Sequence, residues 1–203
     1  MKFSSRLIED AVDAFATLPG IGKKTALRLV LHLVQRDRTA TEDFAMSLLR
    51  MRERILLCRD CHNISDNLLC EVCADARRDR TTVCVVEGIR DVMAIEETSQ
   101  YRGLYHILGG IISPIEGKSP SDLNIDSLLE RVAKGEIKEL VMAVSPTIEG
   151  ETTIFYLAKR LKEYTNLKIT TIARGVAFGG ELEYADEITL GRSIVARLPY
   201  EQI

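Results

Sequence analysis

Apolar side chains recur at Leu7, Ile8, Ala11, Val12, Phe15 and Leu18, and again at Ala26, Leu27, Leu29, Val30, Leu33 and Val34. Both sets have the three-and-four spacing of one helix face, so they predict two helices over residues 5–18 and 26–34. Pro19 stops the first helix, and Gly20 and Gly22 permit a turn that side chains would block. A third helix is expected from Thr39, because Thr39 and Glu42 have capping-box spacing. It would carry Phe44, Leu48, Met51 and Ile55 on one face and Arg50, Arg52 and Arg54 on the other. From residue 81 the pattern changes. Short apolar runs at 81–88, 104–110, 138–145 and 167–173 read as strands, and 89–98, 125–137 and 151–164 as helices. Residues 111–125, with Pro114 and Pro120, read as loop. Strands alternating with helices predict an α/β fold with a parallel sheet covered on both faces. The tail from Arg174 is glycine-rich and then mixed, and its pattern predicts no element. No repeat or low-complexity tract is present.

Composition sets limits on this picture. The chain has 203 residues, 46% hydrophobic and 28% charged, the profile of a soluble globular protein with one or two domains. A net charge of −3 excludes a broadly basic nucleic-acid coat. The charge is uneven, however: residues 1–80 hold 14 basic and 12 acidic groups, and residues 81–203 hold 13 and 18. This asymmetry suggests one face for nucleic acid and another for protein partners. No apolar run approaches the ~18 residues of a membrane span. Arg6, Glu9, Asp10 and Asp13 interrupt the N-terminal stretch, so it is no secretory leader. A cytoplasmic location, with reduced thiols, is expected.

The segment "LPGIGKKTALRL", residues 18–29, first looks like a phosphate-binding loop. A P-loop needs G-x-x-x-x-G-K-[ST] after a strand. Aligned on Gly22 and Lys23, the segment puts Lys24 where a hydroxyl must ligate magnesium and Thr17 where the first glycine must turn. The segment also joins helix to helix. Its glycines suit a close backbone approach to a ligand instead. The free amides and dipole at the start of the second helix favour an anion, and Lys23, Lys24 and Arg28 follow. Residues 21–40 hold five basic side chains against one acidic, Asp37, which suits the phosphates of a polymer. The stretch resembles the helix-hairpin-helix motif of DNA repair proteins, which grips backbone without reading bases. That resemblance makes Gly20, Ile21, Gly22, Lys23, Lys24 and Arg28 the candidate DNA contacts. The plainer alternative is a tight helical hairpin with solvated lysines.

Residues 58–73 read "CRDCHNISDNLLCEVC", two C-x2-C pairs eight residues apart. Each pair places two thiolates on one side of a turn, and the four complete the tetrahedral sulfur set that zinc prefers. The segment is too short to bury a core, so a metal would hold it together. The zinc would be structural, because Cys58, Cys61, Cys70 and Cys73 leave no open position for water. A 4Fe-4S cluster accepts the same four thiolates and is the competing occupant. The C-x-x-C-H haem pattern would leave Cys70 and Cys73 without a role, and disulfides do not suit a reducing compartment. His62 reads as a solvated or supporting group, and Cys84, inside a strand, as a small buried hydrophobe.

Glu87 ends one predicted strand and Ser145 another, with Glu149 and Glu151 following. Such strand ends are where α/β sheets bind ligands. The two segments resemble a Toprim domain, the magnesium-binding fold of topoisomerases and primases. That family ends its later strand in D-x-D, followed by an acidic-Gly-acidic stretch. Here Glu87, Glu149, Gly150 and Glu151 fit, whereas Ser145 and Thr147 replace both aspartates. Magnesium needs hard anionic oxygens, so the replacement argues against strand cleavage or polymerisation. The acids could bind a basic partner protein, or Glu149 and Glu151 could simply start a helix.

In order, a helix-hairpin-helix, a four-cysteine knuckle, a Toprim domain without its D-x-D and a glycine-rich tail resemble the RecR family of bacterial recombination mediators. "LPGIGKKTALRL", the cysteine knuckle, "SPTIEGET" and "ARGVAFGGELEYADEITL" look like its signature blocks. That family usually has asparagine ahead of the second acidic block, where this chain has Ser145. The resemblance implies four parts: residues 1–57 for DNA, 58–80 for zinc, 81–174 as the Toprim domain and 175–203 as a C-terminal region with oligomer contacts. It implies no catalysis. It implies DNA, RecO and RecF as partners, RecA loading on single-stranded gaps, and a homotetrameric ring. Candidate subunit contacts are the N-terminal helices and Ile188, Leu190, Ile194, Val195 and Leu198, which could equally be core. The alternative from another class is a magnesium-dependent Toprim nuclease or primase using Glu87, Glu149 and Glu151.

Overall fold

A computed structural model of the chain describes residues 5–176 and 179–199. Residues 177–178 and 200–203 of the tail, and 1–4 of the N-terminal stretch, lie outside the described residues. The chain divides into two compact units, Met1–Ile55 and Leu56–Ile203.

The first unit is helical. α1 (Arg6–Ala16) and α2 (Lys23–Gln35) form the expected hairpin. Val12 packs on Ala26 and Val30, with Ile8, Phe15, Ile21 and Leu27 around them. α3 (Arg38–Arg54) starts one residue before Thr39, with Asp37 at its N-cap and no side-chain cap, so the expected capping box does not form. Arg38 and Glu42 instead make an exposed ion pair one turn apart, at 2.7 Å. The apolar side of α3 stays open: Phe44, Leu48 and Met51 are exposed and no residue of the helix is buried.

The second unit begins with a hairpin that the sequence pattern does not reveal, β1 (Leu56–Leu57) and β2 (Ile64–Ser65), and a one-turn helix, α4 (Glu71–Ala74). It continues through β3 (Asp79–Val86), α5 (Ile89–Glu97), β4 (Gly103–Ile107), α6 (Ile125–Ala133), β5 (Glu139–Ala143), α7 (Ile148–Arg160) and β6 (Lys168–Thr171). The four longer strands form one parallel sheet in the order β4-β3-β5-β6. Side chains alternate across it. Val83, Val85, Leu140 and Met142 face Leu128 and Val132 of α6 and Leu157 of α7. Cys84, Val86, Tyr105 and Ile107 face Val92 of α5. Cys84 is therefore core, as expected. Each fully buried aliphatic side chain contributes about 1.5–3 kcal/mol relative to exposure.

Boundaries moved where local chemistry was decisive. α7 starts at Ile148 rather than at Glu151, because Thr147 Oγ accepts from Gly150 N at 3.0 Å and opens the helix earlier. The expected loop holds an antiparallel bridge between Ser113 and Lys118 and a 3-10 turn at Pro120–Asp122. In the tail, Asp186 caps α8 (Glu187–Val195) by accepting from Thr189 N at 2.9 Å. Ile188, Ile194, Val195 and Leu198 are exposed there, so they are not core of the chain as described. No helix among the described residues is long and apolar enough to cross a membrane.

Candidate functional site

The cysteine cluster is built by two tight turns. Cys58 follows β1, and its N–H donates to Asn63 O at 2.6 Å while its carbonyl accepts from His62 N at 2.9 Å. Closing this turn places His62 in the left-handed region, φ 62°. Cys70 caps α4, its sulfur accepting from Cys73 N at 3.5 Å. The four sulfurs lie within 4.8 Å of one another, and the residues are at most 3% exposed. Zinc at ~2.3 Å from each sulfur would hold them about 3.8 Å apart, so the donor set fits a tetrahedral ion after slight contraction. Among the described residues these are the only three or more His, Cys, Asp or Glu side chains that converge in this way. A shared hydrogen bond holds Cys73 below the ordinary thiol range, and that bond and burial push Cys61 up.

The knuckle is bound to the edge of the sheet. β4 pairs with β3 on one side only, and on its free side Ile107 N donates to Cys61 O at 2.9 Å. His62 does not join the sulfurs. Its Nε2 lies 2.8 Å from Ser127 Oγ on α6, and its ring stands edge-on to His106 at 5.2 Å. Burial, then the nearby Arg131 charge, hold His62 below its usual value. His106 is fully buried and pushed down to about 3, mainly by burial. Arg131 donates to Tyr105 O at 2.6 Å and Asp60 O at 3.4 Å, and Arg80 to Cys73 O at 3.2 Å. Neither arginine stands out in the sequence, because helix and strand periodicity does not mark a side chain that bonds a backbone carbonyl of another element, Arg131 to Asp60 across 71 residues and Arg80 to Cys73 across 7.

In the hairpin, Gly20 has φ +80°, a conformation that favours glycine, and Ile21 N closes the turn on Leu18 O at 3.1 Å. Gly22 is different. Its φ is −81°, and a side chain there would meet open space, so the fold does not require glycine at this position. Being N-cap without a side chain, it leaves the first amides of α2 uncapped. Lys23, Lys24 and Arg28 are exposed around this helix end, whereas Ile21 is half-buried against the hairpin core. Lys23 pairs with Asp13 at 3.1 Å, both largely exposed.

Two of the three strand-end acids have a partner within the chain. Glu87 Oε1 accepts from Ser145 N at 2.6 Å, linking the ends of β3 and β5. Glu151, in the first turn of α7, pairs with Arg174 from the tail. Glu149 lies in the same turn, half-buried. Gly150 is fixed by space: a Cβ there would lie 2.0 Å from Ser145 O. Sequence spacing points to the three acids but not to Arg174, which reaches back from the tail.

Residues 8–52 match the family model described as "RecR, helix-hairpin-helix", 81–173 that of the Toprim domain, and 175–197 that of "RecR, C-terminal". The chain is 59% identical over 199 residues to Recombination protein RecR of Porphyromonas gingivalis strain W83, covering 98% of this chain and 96% of that protein. It is 58% identical over 202 residues to that of Flavobacterium johnsoniae, 100% and 98% covered. To that of Bacteroides thetaiotaomicron it is 56% identical over 196 residues, 97% and 95% covered. With identity above half along nearly its whole length to these proteins, the chain belongs to the RecR family.

Proposed function

We propose that this chain is a DNA-binding mediator of recombinational repair without a catalytic reaction of its own. The observation that carries this is identity above half along nearly the whole length to proteins named for recombination. In this reading residues 1–57 serve DNA, 58–80 the metal, 81–174 a partner protein and 175–203 assembly. The DNA contacts are the amides around Gly20, Ile21 and Gly22 and the charges of Lys23, Lys24 and Arg28. The uncapped helix end and exposed cations support them. The metal is zinc on Cys58, Cys61, Cys70 and Cys73, one per chain. Four thiolates close its coordination, so it supplies stability rather than a reactive water.

Glu87, Glu149 and Glu151 are assigned to a basic partner, RecO by resemblance, with RecF also engaged and RecA loading as the outcome. Against magnesium-dependent cleavage or synthesis stand two facts of geometry. Glu87 is occupied by Ser145 N, and Glu151 by Arg174. Assembly into a ring would cover the exposed apolar residues of the N-terminal helices and α8, such as Leu7, Val34, Ile188 and Val195. Several hairpins facing one duplex then add avidity to a weak single contact. The setting is the cytoplasm.

The test is RecA loading onto single strands coated with single-strand-binding protein, with RecO present. Acceleration is expected, and it should fall in Glu149→Lys while DNA affinity and metal content hold. No acceleration, or magnesium-dependent cleavage that vanishes in Glu87→Ala, would overturn the proposal.

A further inference from the structure

We infer that Arg131 is the counter-charge that anchors the metal-loaded cysteine cluster to the sheet, with Arg80 as its weaker partner. The inference rests on a divalent metal at the four cysteines, as proposed above.

Four thiolates and one divalent ion sum to two negative charges. The cysteines are at most 3% exposed, so water does little to solvate that charge. A buried charge left unpaired is costly. No carboxylate among the described residues lies within ion-pair distance of Arg131, although the side chain is half-buried. Glu130 and Glu136 line the same cavity of about 290 Å³ without pairing to it. What Arg131 does touch is the knuckle and the strand beneath it: Asp60 O, beside Cys61, and Tyr105 O in β4. Arg80 reaches Cys73 O on the other C-x2-C pair. Each guanidinium therefore donates to the backbone at or next to a cysteine, one per pair. A dianionic metal centre supplies the missing partner for both arginines.

Arg131 is a positioning residue: it acts on the metal through the backbone and through its field. Groups outside the ligand shell typically change metal affinity by about 10–100-fold when removed. The experiment follows zinc release from the whole chain to a chromophoric chelator, for the native protein and for Arg131→Gln, Arg131→Lys, Arg80→Gln and Lys134→Gln. Lys134 lines the same cavity and touches neither C-x2-C pair. Arg131→Gln should release zinc roughly tenfold faster or more. Arg131→Lys should stay within about threefold of native, because the charge is kept. Arg80→Gln should move the same way by a smaller factor, and Lys134→Gln should not move. Cobalt-loaded Arg131→Gln should shift its thiolate-to-metal absorption band, which a purely structural loss would leave in place. Native release from Arg131→Gln, or equal acceleration in the Lys and Gln variants, overturns the inference. If Arg131→Gln does not fold, native-rate release from the exposed Arg80→Gln overturns it. A native chain without metal would instead defeat the proposal beneath it.

Discussion

Glu87 Oε1 accepts the backbone N–H of Ser145 at 2.6 Å, from the end of one strand to the end of its neighbour. A Toprim enzyme would need this carboxylate free for magnesium. Here it serves as a clamp between β3 and β5. Hydrogen bonds to charged groups contribute about 1.5–3 kcal/mol, and water at the exposed Ser145 reduces that. Glu87→Ala should therefore lower stability by about 1 kcal/mol, and Glu87→Gln, which keeps an acceptor, by less. Denaturant midpoints distinguish the two, and equal losses would mean that the clamp contributes nothing specific.

The cysteine cluster predicts one zinc per chain. Cys58→Ser and Cys73→Ser each remove a ligand from a knuckle with almost no other core. Stability should fall by several kcal/mol, the scale of structural zinc. Because Ile107 N bonds Cys61 O, amide exchange should quicken along the free edge of β4 as well. Elemental analysis finding iron, or no metal, would refute the assignment.

Much of this was legible in the sequence for physical reasons that differ by part. The strands of the sheet are apolar on both faces because helices cover both sides, so short runs such as Val83–Val86 stand out. The C-x2-C spacing is legible because metal geometry dictates it. The spacing of Thr39 and Glu42 points to a capping box, but α3 starts at Arg38, which makes the first-turn pair with Glu42. The start of α7 is hard to read because its cap, Thr147, stands where the Toprim pattern has an aspartate, and the spacing alone does not mark it as a helix signal. β1 and β2 are two residues each, too short to carry a period. Arg131 and Arg174 act across long separations, and no local pattern encodes that.

Glu96 joins α5 to the sheet, accepting from Arg78 and from Tyr105 Oη, the latter at 2.6 Å. Hydrogen bonding from Arg78 comes first in holding its carboxyl below the ordinary 4.5. A depressed folded-state value means that the contribution is complete above the unfolded value and is lost as pH falls through the folded one. The stability gap between native and Glu96→Gln should be widest at neutral pH and should shrink below pH 4.5. Comparing the two proteins cancels acid loss of the metal, which both share. A gap independent of pH would show that the charge on Glu96 is not what stabilises.

Gly22 separates the fold's needs from the ligand's. At φ −81° with open space around it, Gly22→Ala should leave stability within about 0.5 kcal/mol of native. The added methyl would stand between the α2 amides and a phosphate, so DNA affinity should fall several-fold for every sequence. Gly150→Ala is the contrast. Its Cβ would meet Ser145 O at 2.0 Å, so it should cost about 3 kcal/mol and leave the hairpin's affinity intact in the folded fraction. Lys23→Ala with Lys24→Ala should weaken binding uniformly and flatten the log-log salt slope by about two. Asp13 now holds Lys23 at 3.1 Å, competing with phosphate for it. Asp13→Ala should therefore tighten binding at low salt, and the gain should fade as salt screens both contacts. DNA titrations at several salt concentrations measure all four variants, and unchanged binding by the double lysine variant would remove the hairpin as the DNA site.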